Sequence, residues 1–337
     1  MATPLRIGLI GCGRIQEEGH APVLQRLPDV WQVSAVADPT LERLNLIGDR
    51  FGVPPEARFP DYRDLLRSGR VDAVDIAVPH RFHAPVCLGA ARTRTPFLSE
   101  KPLATSLKQA DEIIAEVQRH DIPAGIMHNY LNRPSTAAAL AAIQAGRIGR
   151  PFMFRMEHMG SGWYVGAAAY DPTWRSRRQD AGGGALLDNG YHNLYTAEAM
   201  LQSPITHVSA RVGTHVRNQD VDDTAALMLG HASGATSIVL AAWSATSATG
   251  LTEVHGDLGS IRLDRGEAVL HTGDRTEVLE STNADELGFT PIFRRFADAV
   301  RGDAPPLHTL DEGRRNLQIV FAGYDAAIDN QVVRVKN

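Results

Sequence analysis

The segment LRIGLIGCGRIQ, residues 5–16, sets the fold class of this 337-residue chain. Leu5–Ile10 is a short apolar run with β-branched residues, which predicts a buried strand. A glycine turn follows directly, in which Gly11 permits a tight turn and Gly13 lets the backbone approach a pyrophosphate. A strand, a glycine turn and a helix in this order predict the first unit of a dinucleotide-binding domain.

The residues after the turn carry the rest of this pattern. Arg14 and Ile15 open the predicted helix, whose free main-chain amides would hold phosphate charge. Asp38 ends the next strand 22 residues after Gln16, where a carboxylate binds the ribose hydroxyls of NAD and repels the 2′-phosphate of NADP. Because no arginine follows Asp38 immediately, the sequence favours NAD over NADP. Asp38 is also suited to begin a turn or helix before Pro39, and both roles are compatible.

Strands and helices alternate through the first third of the chain. Ser106 and Gln109 have the spacing of a capping box before one of the helix-like segments. This alternation predicts a parallel, doubly wound Rossmann sheet, and we assign the dinucleotide-binding domain to residues 1–125. The further predicted strands are Trp31–Asp38, Val71–Val78, Pro96–Glu100 and Pro123–Asn129.

The pattern changes after about residue 125. A bridging helix is predicted within 133–149, and two amphipathic helices close the chain near 291–301 and 310–330. Between them, segments that alternate apolar and polar residues predict a mainly antiparallel sheet with one covered face. The predicted class is therefore α/β, with a second, α+β domain over residues 126–337. The strand-like segments are 152–159, 206–214, 222–230, 235–243, 251–257, 260–266 and 267–273.

The composition fits an ordinary globular protein and argues against several classes of partner. Apolar residues make up 43% and charged residues 22%, and the net charge of -5 gives no reason to expect nucleic acid or an anionic membrane. Cys12 and Cys87 have no metal-ligand spacing and form no disulfide framework. No apolar run approaches the roughly 20 residues of a membrane span, and the first residues lack a signal-peptide pattern. The sequence predicts a cytoplasmic protein.

The third predicted strand ends in VPHRFHAP, at the edge of the sheet where ligands bind in such folds. Pro79 and His80 are candidates to line the cofactor site, and His83 begins the next helix. The two histidines are three residues apart, so a metal site is the alternative. Since no further ligand cluster accompanies them, the sequence predicts no metal.

The stretch PFLSEKPLA brings Glu100, Lys101 and Pro102 to the same edge. Pro102 fixes its own φ and biases Lys101 toward extended geometry, which stiffens the point from which the lysine projects. Lys101 is suited to bond a substrate hydroxyl beside the nicotinamide. A solvated lysine at a turn is an equally good interpretation of the spacing alone.

The stretch GGGALLDNGYH, Gly182–His192, is the third chemical signal. If the chain is helical from Ala185, then Asp188 and His192 are four residues apart and project from one face, next to a flexible glycine entrance. They are either an exposed ion pair worth about 0.3–0.5 kcal/mol or half of an active site.

The longest irregular segment, Met159–Ala181, precedes these glycines. Aromatic and arginine side chains on such a segment suit a polyhydroxylated or anionic substrate, and they suit a subunit contact equally well. Trp174 and Arg175 are expected nearest the substrate. The set comprises Trp163, Tyr164, Tyr170, Trp174, Arg175, Arg177 and Arg178.

GCGRIQ, the EKP at Glu100–Pro102 and GGGALLDNGYH together resemble the Gfo/Idh/MocA family of NAD(P)-dependent oxidoreductases, which act on sugars, inositols and related compounds. The resemblance covers nearly the whole chain with the motifs in order, and NYLNRP (Asn129–Pro134) and Trp174–Arg175 agree with it. Gln16 in place of a small residue and His80 in place of the more usual Asn depart from the family pattern.

The resemblance implies an open-faced second sheet whose outer face joins subunits, so a homodimer or homotetramer is expected. It also implies that Lys101, Asp188 and His192 are catalytic, and that these three bind substrate together with Trp174 and Arg175. The predicted cofactor-binding positions are Gly11, Gly13, Arg14, Ile15, Asp38, Pro79, His80, His83, Glu100, Lys101 and Asn129.

The predicted reaction is hydride transfer between NAD and a carbon that bears a hydroxyl in a sugar or polyol. His192 would be the general base, Lys101 would stabilise alkoxide charge, and Asp188 would contact the substrate or tune the histidine. Which of Lys101 and His192 takes the proton stays open. Two alternatives remain: an enzyme that retains NAD and cleaves a glycosidic bond through transient oxidation, and a non-catalytic NAD-sensing module.

Overall fold

The computed structural model describes residues 3–160, 173–248, 250–264, 266–281 and 287–336. Of the aromatic residues singled out above, Trp163, Tyr164 and Tyr170 lie outside these ranges, so their predicted role near the substrate stays a prediction.

The first sheet is parallel and has six strands in the order β3-β2-β1-β4-β5-β6. Its order reverses between β1 and β4, which is the arrangement of a doubly wound dinucleotide-binding sheet and confirms the predicted Rossmann fold. The strand that was not predicted, β3, has only two residues and therefore shows no periodicity. The strands are β1 Leu5–Ile10, β2 Trp31–Ala37, β3 Arg58–Phe59, β4 Ala73–Ile76, β5 Phe97–Ser99 and β6 Ala124–Ile126.

Helices connect these strands, and the first differs from the expected form. Gln16–His20 is a π-helical turn that runs into α1. The capping box predicted at Ser106 is only half formed: Ser106 Oγ accepts from the Gln109 amide, but the Gln109 side chain accepts from Thr105 instead. The helices are α1 Ala21–Gln25, α2 Leu41–Arg50, α3 Tyr62–Arg67, α4 His83–Arg92 and α5 Leu107–His120.

The second sheet has nine strands in the order β14-β13-β12-β11-β7-β10-β9-β8-β15. Its pairs are antiparallel except β7 with β10, which confirms a large, mainly antiparallel sheet. The sequence did not indicate β14, which lacks a buried face, or β15, which has two residues. The strands are β7 Pro151–Met159, β8 Ile205–Gly213, β9 Thr224–His231, β10 Thr236–Ala242, β11 Thr252–Gly256, β12 Ser260–Asp264, β13 Glu267–Thr272, β14 Arg275–Ser281 and β15 Val333–Arg334.

Helices cover one face of this sheet: α8 packs on β7, and α10 packs on β8. On the other face, Met228 and Ile238 stand opposite each other on β9 and β10 with 58% and 38% of their surface exposed. The helices of this part are α6 Pro134–Gln144, α7 Arg178–Ala181, α8 Tyr191–Leu201, α9 Thr290–Arg301 and α10 Leu310–Asp329.

The C-terminal helices return to the first sheet. Trp31 Nε1 in β2 donates to the main-chain oxygen of Phe293 in α9 at 2.9 Å, and the Ile126 amide at the end of β6 donates to His308 O. The last part of the chain thus packs on both sheets. No helix among the described residues has the length and apolar character to cross a bilayer.

Candidate active site

The glycine turn after β1 is held against the end of β4. Gly11 has φ +91°, and a Cβ on it would lie 2.3 Å from the main-chain oxygen of Ala77. Only glycine fits both the left-handed backbone and this close approach. Asp38 closes the other side, because its carboxylate accepts from the amides of Cys12 and Thr40, each at 2.8 Å.

Arg43 lies at the same loop and was missed by the sequence analysis. Its guanidinium donates to Cys12 O at 2.8 Å and pairs with Glu17 at 2.5 Å. It is in α2, a few residues beyond the position examined for an NADP-type arginine. Glu17 already neutralises it, so its presence is compatible with a preference for NAD.

The three glycines before the predicted catalytic residues are tightly packed, which corrects the expectation of a flexible entrance. A Cβ on Gly183 would lie 2.3 Å from Tyr324 Oη, and one on Gly184 would lie 1.8 Å from Asp222 O. The buried Asp222 carboxylate accepts from the amides of Gly184 and Leu186 at 2.8 and 2.7 Å. This carboxylate fixes the start of the helical segment, and no local pattern in the sequence identifies it.

Asp188 and His192 are buried with 3% and 6% exposure, so the exposed ion-pair interpretation is wrong. They also belong to different helical forms, since Leu186–Gly190 is a π-helical turn and Tyr191 begins α8. A π-helical turn within a helix is rare and frequently marks a functional site.

Lys101 reaches Asp188 from the edge of the first sheet. Its Nζ donates to Asp188 Oδ1 at 2.5 Å and to the Asp188 main-chain oxygen at 3.1 Å. Arg175 Nε lies 3.6 Å from the other carboxylate oxygen. Burial opposes the charge of Asp188, but Lys101 and Arg175 outweigh it and hold the pKa of Asp188 well below its usual range.

His192 lies in the same region, but its contacts are with two tyrosines rather than with Asp188. Its Nδ1 lies 2.7 Å from Tyr195 Oη, and its ring stacks on Tyr130 with centroids 3.9 Å apart. The Arg133 guanidinium covers Tyr130 at 3.4 Å. Burial, with the charge of Lys101 as the next cause, lowers the pKa of His192 well below 6.5, so the ring is neutral. Its Nε2 has no hydrogen-bond partner among the described residues.

His80 and Trp174 form a wall beside this pair. His80 Nδ1 donates to Ala181 O at 2.9 Å, and its ring meets Trp174 edge-on at 4.8 Å. Arg175 lies over Trp174 at 4.4 Å. Burial, together with the nearby His83, keeps the pKa of His80 low, so its Nε2 is a neutral acceptor. Sequence-predicted Trp174, Arg175, Lys101 and Asp188 are therefore contiguous.

At three of the predicted cofactor-binding positions, the side chain is hydrogen-bonded to other residues of the protein. His83 lies between Pro102 O and Val78 O at 2.6 and 2.8 Å. Asn129 Nδ2 donates to Leu287 O at 2.8 Å. Any cofactor contact by these two through free side-chain atoms stays a prediction.

The third is Glu100, whose two carboxylate oxygens are both engaged. Oε1 lies 3.1 Å from His20 Nε2, and Oε2 accepts from the Lys101 amide at 2.9 Å. His20 Nδ1 in turn lies 2.9 Å from Asp75 Oδ2. No local pattern in the sequence indicates His20 or Asp75, since their contacts span 55 and 80 residues.

One group of described residues brings three possible metal ligands together, with His128, His308 and Glu312 atoms within 4.8 Å of one another. Asn132 Nδ2 lies 2.8 Å from His308 Nε2. An amide nitrogen only donates, so the ring proton of neutral His308 is on Nδ1, the atom that faces Glu312. Glu312 also accepts from the Thr309 amide in a complete capping box. Hydrogen bonds thus occupy two of the three groups, which does not suit a metal centre.

The first sheet fits a dinucleotide. The Gly11 turn leaves no room for a side chain, and no side chain of the described residues caps the helix start at Ile15, so its first amides remain for an anion. Asp38 lies at the end of β2 with two oxygens that can accept further bonds from ribose hydroxyls. The residues suited to hold a dinucleotide are therefore Gly11, Gly13, Arg14, Ile15 and Asp38, while Pro79 and His80 stay predicted positions for the same cofactor.

Comparison with known proteins agrees with this geometry. Residues 5–128 match the model of an oxidoreductase family with an NAD-binding Rossmann fold, and residues 136–262 match the GFO/IDH/MocA C-terminal domain. The D-apiose dehydrogenase of Rhizobium rhizogenes is 30% identical over 99% of this chain and 98% of its own length. The levoglucosan dehydrogenase of Pseudarthrobacter phenanthrenivorans is 26% identical over 95% of this chain and 85% of its own.

Solved structures share the fold over the full chain. Levoglucosan dehydrogenase in complex with NADH and L-sorbose has a TM-score of 0.88 at 23% identity and covers 100% of both chains. The aldose-aldose oxidoreductase of Caulobacter crescentus, complexed with glycerol, has a TM-score of 0.87 at 21% identity and covers 98% of this chain and 99% of its own.

Proposed function

Because this chain belongs to the Gfo/Idh/MocA family of NAD-binding oxidoreductases, we propose that it transfers hydride between NAD and a secondary alcohol or ketone of a sugar, inositol or related polyol. Relatives named D-apiose dehydrogenase, levoglucosan dehydrogenase and inositol 2-dehydrogenase support this substrate class. We also propose a division into a dinucleotide-binding domain, residues 1–125, and a substrate and assembly domain, residues 126–337.

The observation that carries the proposal is the pair of hydrogen bonds by which Asp188 holds the Lys101 ammonium. An ammonium has three N–H donors, and Asp188 accepts two of them. The third is left for a substrate oxygen, at a position set by two hydrogen bonds. A fixed cation of this kind stabilises the alkoxide that develops when a hydroxyl loses its proton.

His192 supplies the proton acceptor in this scheme. When its Nδ1–H donates to Tyr195 Oη, Nε2 carries the lone pair that can take the hydroxyl proton. Asp188 pairs with Lys101 and orients it, while Trp174 and Arg175 line the substrate side. NAD, when bound beside them, takes up the hydride.

A screen of sugars and polyols with NAD and with NADP tests the function. We expect formation of NADH with at least one compound, and we expect Lys101→Met to abolish it. Release of free sugar from a glycoside without net NADH would point to transient oxidation by a retained cofactor. Binding of NADH without turnover of any compound would contradict the proposal and favour a sensing role.

The choice of NAD over NADP depends on Asp38 in this proposal. We expect Asp38→Ala to weaken NADH binding, since the carboxylate also orients the Cys12 amide, and to narrow the preference over NADPH. Fluorescence titration with NADH and with NADPH measures the two dissociation constants. If their ratio in Asp38→Ala equals that of wild type, other residues set the preference for NAD.

We propose that two or four copies assemble through the uncovered face of the second sheet. Met153, Met228, Ile238 and Val278 expose 40%, 58%, 38% and 54% of their surface there, and Ser209, Met228, Ile238, Arg155, Glu253 and Arg262 stand opposite one another across six strands. Exposed apolar side chains on a sheet face that no helix covers suit burial against a second copy of the chain. Met228→Asp should shift sedimentation toward the monomer, while Ile328→Asp on α10 should not. A monomeric wild type would contradict this.

A further inference from the structure

A buried imidazole joins the first helix to the lysine motif. His20 is 0% exposed and lies between two carboxylates that come from different strands. Its Nδ1 is 2.9 Å from Oδ2 of Asp75 in β4, and its Nε2 is 3.1 Å from Oε1 of Glu100, the residue after β5. Phe289 and Phe293 meet the ring edge-on at centroid distances of 4.6 and 5.6 Å. The ring is therefore fixed in position and in plane.

The contacts of this ring favour its doubly protonated form. An ionised carboxylate has only acceptor oxygens, so each ring nitrogen that faces one must carry a hydrogen. With both nitrogens protonated, His20 is an imidazolium. Burial alone would lower its pKa, but Asp75 and Glu100 outweigh burial and raise the pKa to about 10. Among the described residues, these two carboxylates are the charged groups that face the ring, since Phe293 in α9 and Phe289, the residue before α9, are both apolar.

The imidazolium acts on the reaction site through Glu100. Glu100 Oε1 is bound by His20, and Oε2 accepts from the Lys101 amide at 2.9 Å. A carboxylate held at both oxygens cannot rotate, so the main chain at Lys101 is held as well. The same residue then places its Nζ 2.5 Å from Asp188. A continuous path of hydrogen bonds thus runs from Asp75 through His20 and Glu100 to Lys101.

We propose that His20 is a positioning residue for Lys101, which it holds through the Asp75–His20–Glu100 contacts in a form with both ring nitrogens protonated. This inference rests on the proposed function, because it concerns the lysine that the function places at the substrate oxygen. His20 does not touch the substrate in this scheme. Its removal leaves two carboxylates without their shared cation and frees Glu100 to move the main chain of Lys101.

The first experiment compares His20→Gln with a matched control. His231→Gln replaces another buried histidine, which bonds Ser203 O and Ser237 Oγ in the second sheet. Since a small displacement of a reacting group can cost about 100-fold, we expect His20→Gln to lower kcat on the order of 10- to 100-fold. KM and the Kd for NADH should change by less than about threefold on the same argument. His231→Gln should keep the wild-type kcat.

The second experiment does not depend on turnover and also covers a His20→Gln chain that fails to fold. In ¹⁵N spectra at pH 8, wild type should show a histidine with both ring nitrogens protonated that is assigned to His20 by its shift in Asp75→Asn, and its signal should persist until the pH approaches 10. Asp75→Asn removes one carboxylate without removing the ring. We expect the pH at which this ring loses its proton, and the alkaline limb of kcat, to move downward in Asp75→Asn.

Three results would overturn the inference. They are a neutral His20 at pH 8, an alkaline limb that stays in place in Asp75→Asn, and a kcat of His20→Gln within threefold of wild type. A wild type that turns over no sugar or polyol would contradict the proposed function instead. The ¹⁵N measurement would then still decide the protonation state of His20.

Discussion

Asp188 accepts two hydrogen bonds from the one ammonium of Lys101, at Oδ1 (2.5 Å) and at its main-chain oxygen (3.1 Å). The two residues are 87 positions apart and come from the edge of the first sheet and from the π-helical turn before α8. Their side chains are 12% and 5% exposed. The pair therefore joins the two halves of the chain at the point where substrate chemistry is proposed.

Removal of one partner of this pair should destabilise the fold. Lys101→Met leaves a buried carboxylate facing only Arg175, and Asp188→Asn leaves a buried ammonium, so each should lower the free energy of unfolding by about 3–5 kcal/mol. The double variant should cost less than the sum, because the buried carboxylate and the buried ammonium are removed together. Urea denaturation of wild type, the two single variants and the double variant measures these losses.

As a control, Arg147→Met breaks the exposed pair with Glu277 and should lower the free energy of unfolding by about 0–1 kcal/mol. Additive losses would contradict the coupling.

The imidazole of His192 is expected to carry the proton. His192→Ala should lower kcat on the order of 100-fold or more, the usual contribution of a positioned acid or base. Tyr195→Phe removes the bond to His192 Nδ1 and the bond that Tyr195 Oη accepts from the Tyr130 amide, and it should lower kcat by about fivefold to tenfold, as one hydrogen bond is worth ~1 kcal/mol. His215→Ala, an exposed position, serves as the control in steady-state assays. Turnover of His192→Ala near that of wild type would leave Lys101 as the proton acceptor.

The sequence predicts most of the fold because its signals are local. The five longer strands of the first sheet show as apolar runs, and Gly11 and Asp38 occupy positions that a dinucleotide requires. Lys101 and Asp188 were both named, but neither spacing nor periodicity indicates that they touch. The motif resemblance implied only that both are catalytic, with Asp188 contacting the substrate or tuning His192, and their direct contact was not predicted.

Other parts of the site have no local signal. Asp222 lies 38 and 36 residues after Gly184 and Leu186, whose amides it holds, and His20 contacts residues 55 and 80 positions away. The π-helical turn at Leu186–Gly190 was missed because a helix with one wider turn has nearly the same side-chain periodicity as an ordinary one. Such features depend on tertiary packing and become visible only in the folded chain.

Buried neutral histidines should make the protein sensitive to acid. Burial lowers the pKa of His308 from 6.5 to about 4, and burial with the charge of Arg133 does the same for His158. Between these values the unfolded chain binds more protons than the folded chain, so the free energy of unfolding falls as the pH falls from about 6.5 to 4. His308→Gln should remove one of the groups that bind a proton on unfolding. The free energy of unfolding should then depend less steeply on pH, by up to about 1.4 kcal/mol per pH unit. Urea unfolding at several pH values measures the slope, and equal slopes would contradict the assignment.

Gly184, which precedes the π-helical turn Leu186–Gly190, should tolerate no side chain. In Gly184→Ala the new Cβ would lie 1.8 Å from Asp222 O, a main-chain atom that cannot rotate away. The strand start near Asp222 or the helix start near Leu186 must therefore shift, and we expect a loss of about 3 kcal/mol or more in the free energy of unfolding.

Because the same segment carries Asp188 and His192, kcat should fall together with stability. Gly250→Ala is the matched control, since nothing lies within 4 Å of the added carbon. Its free energy of unfolding and its kcat should stay close to those of wild type. If Gly184→Ala kept wild-type stability, the close contact with Asp222 would not exist in solution, and the glycines would after all be a mobile entrance to the site.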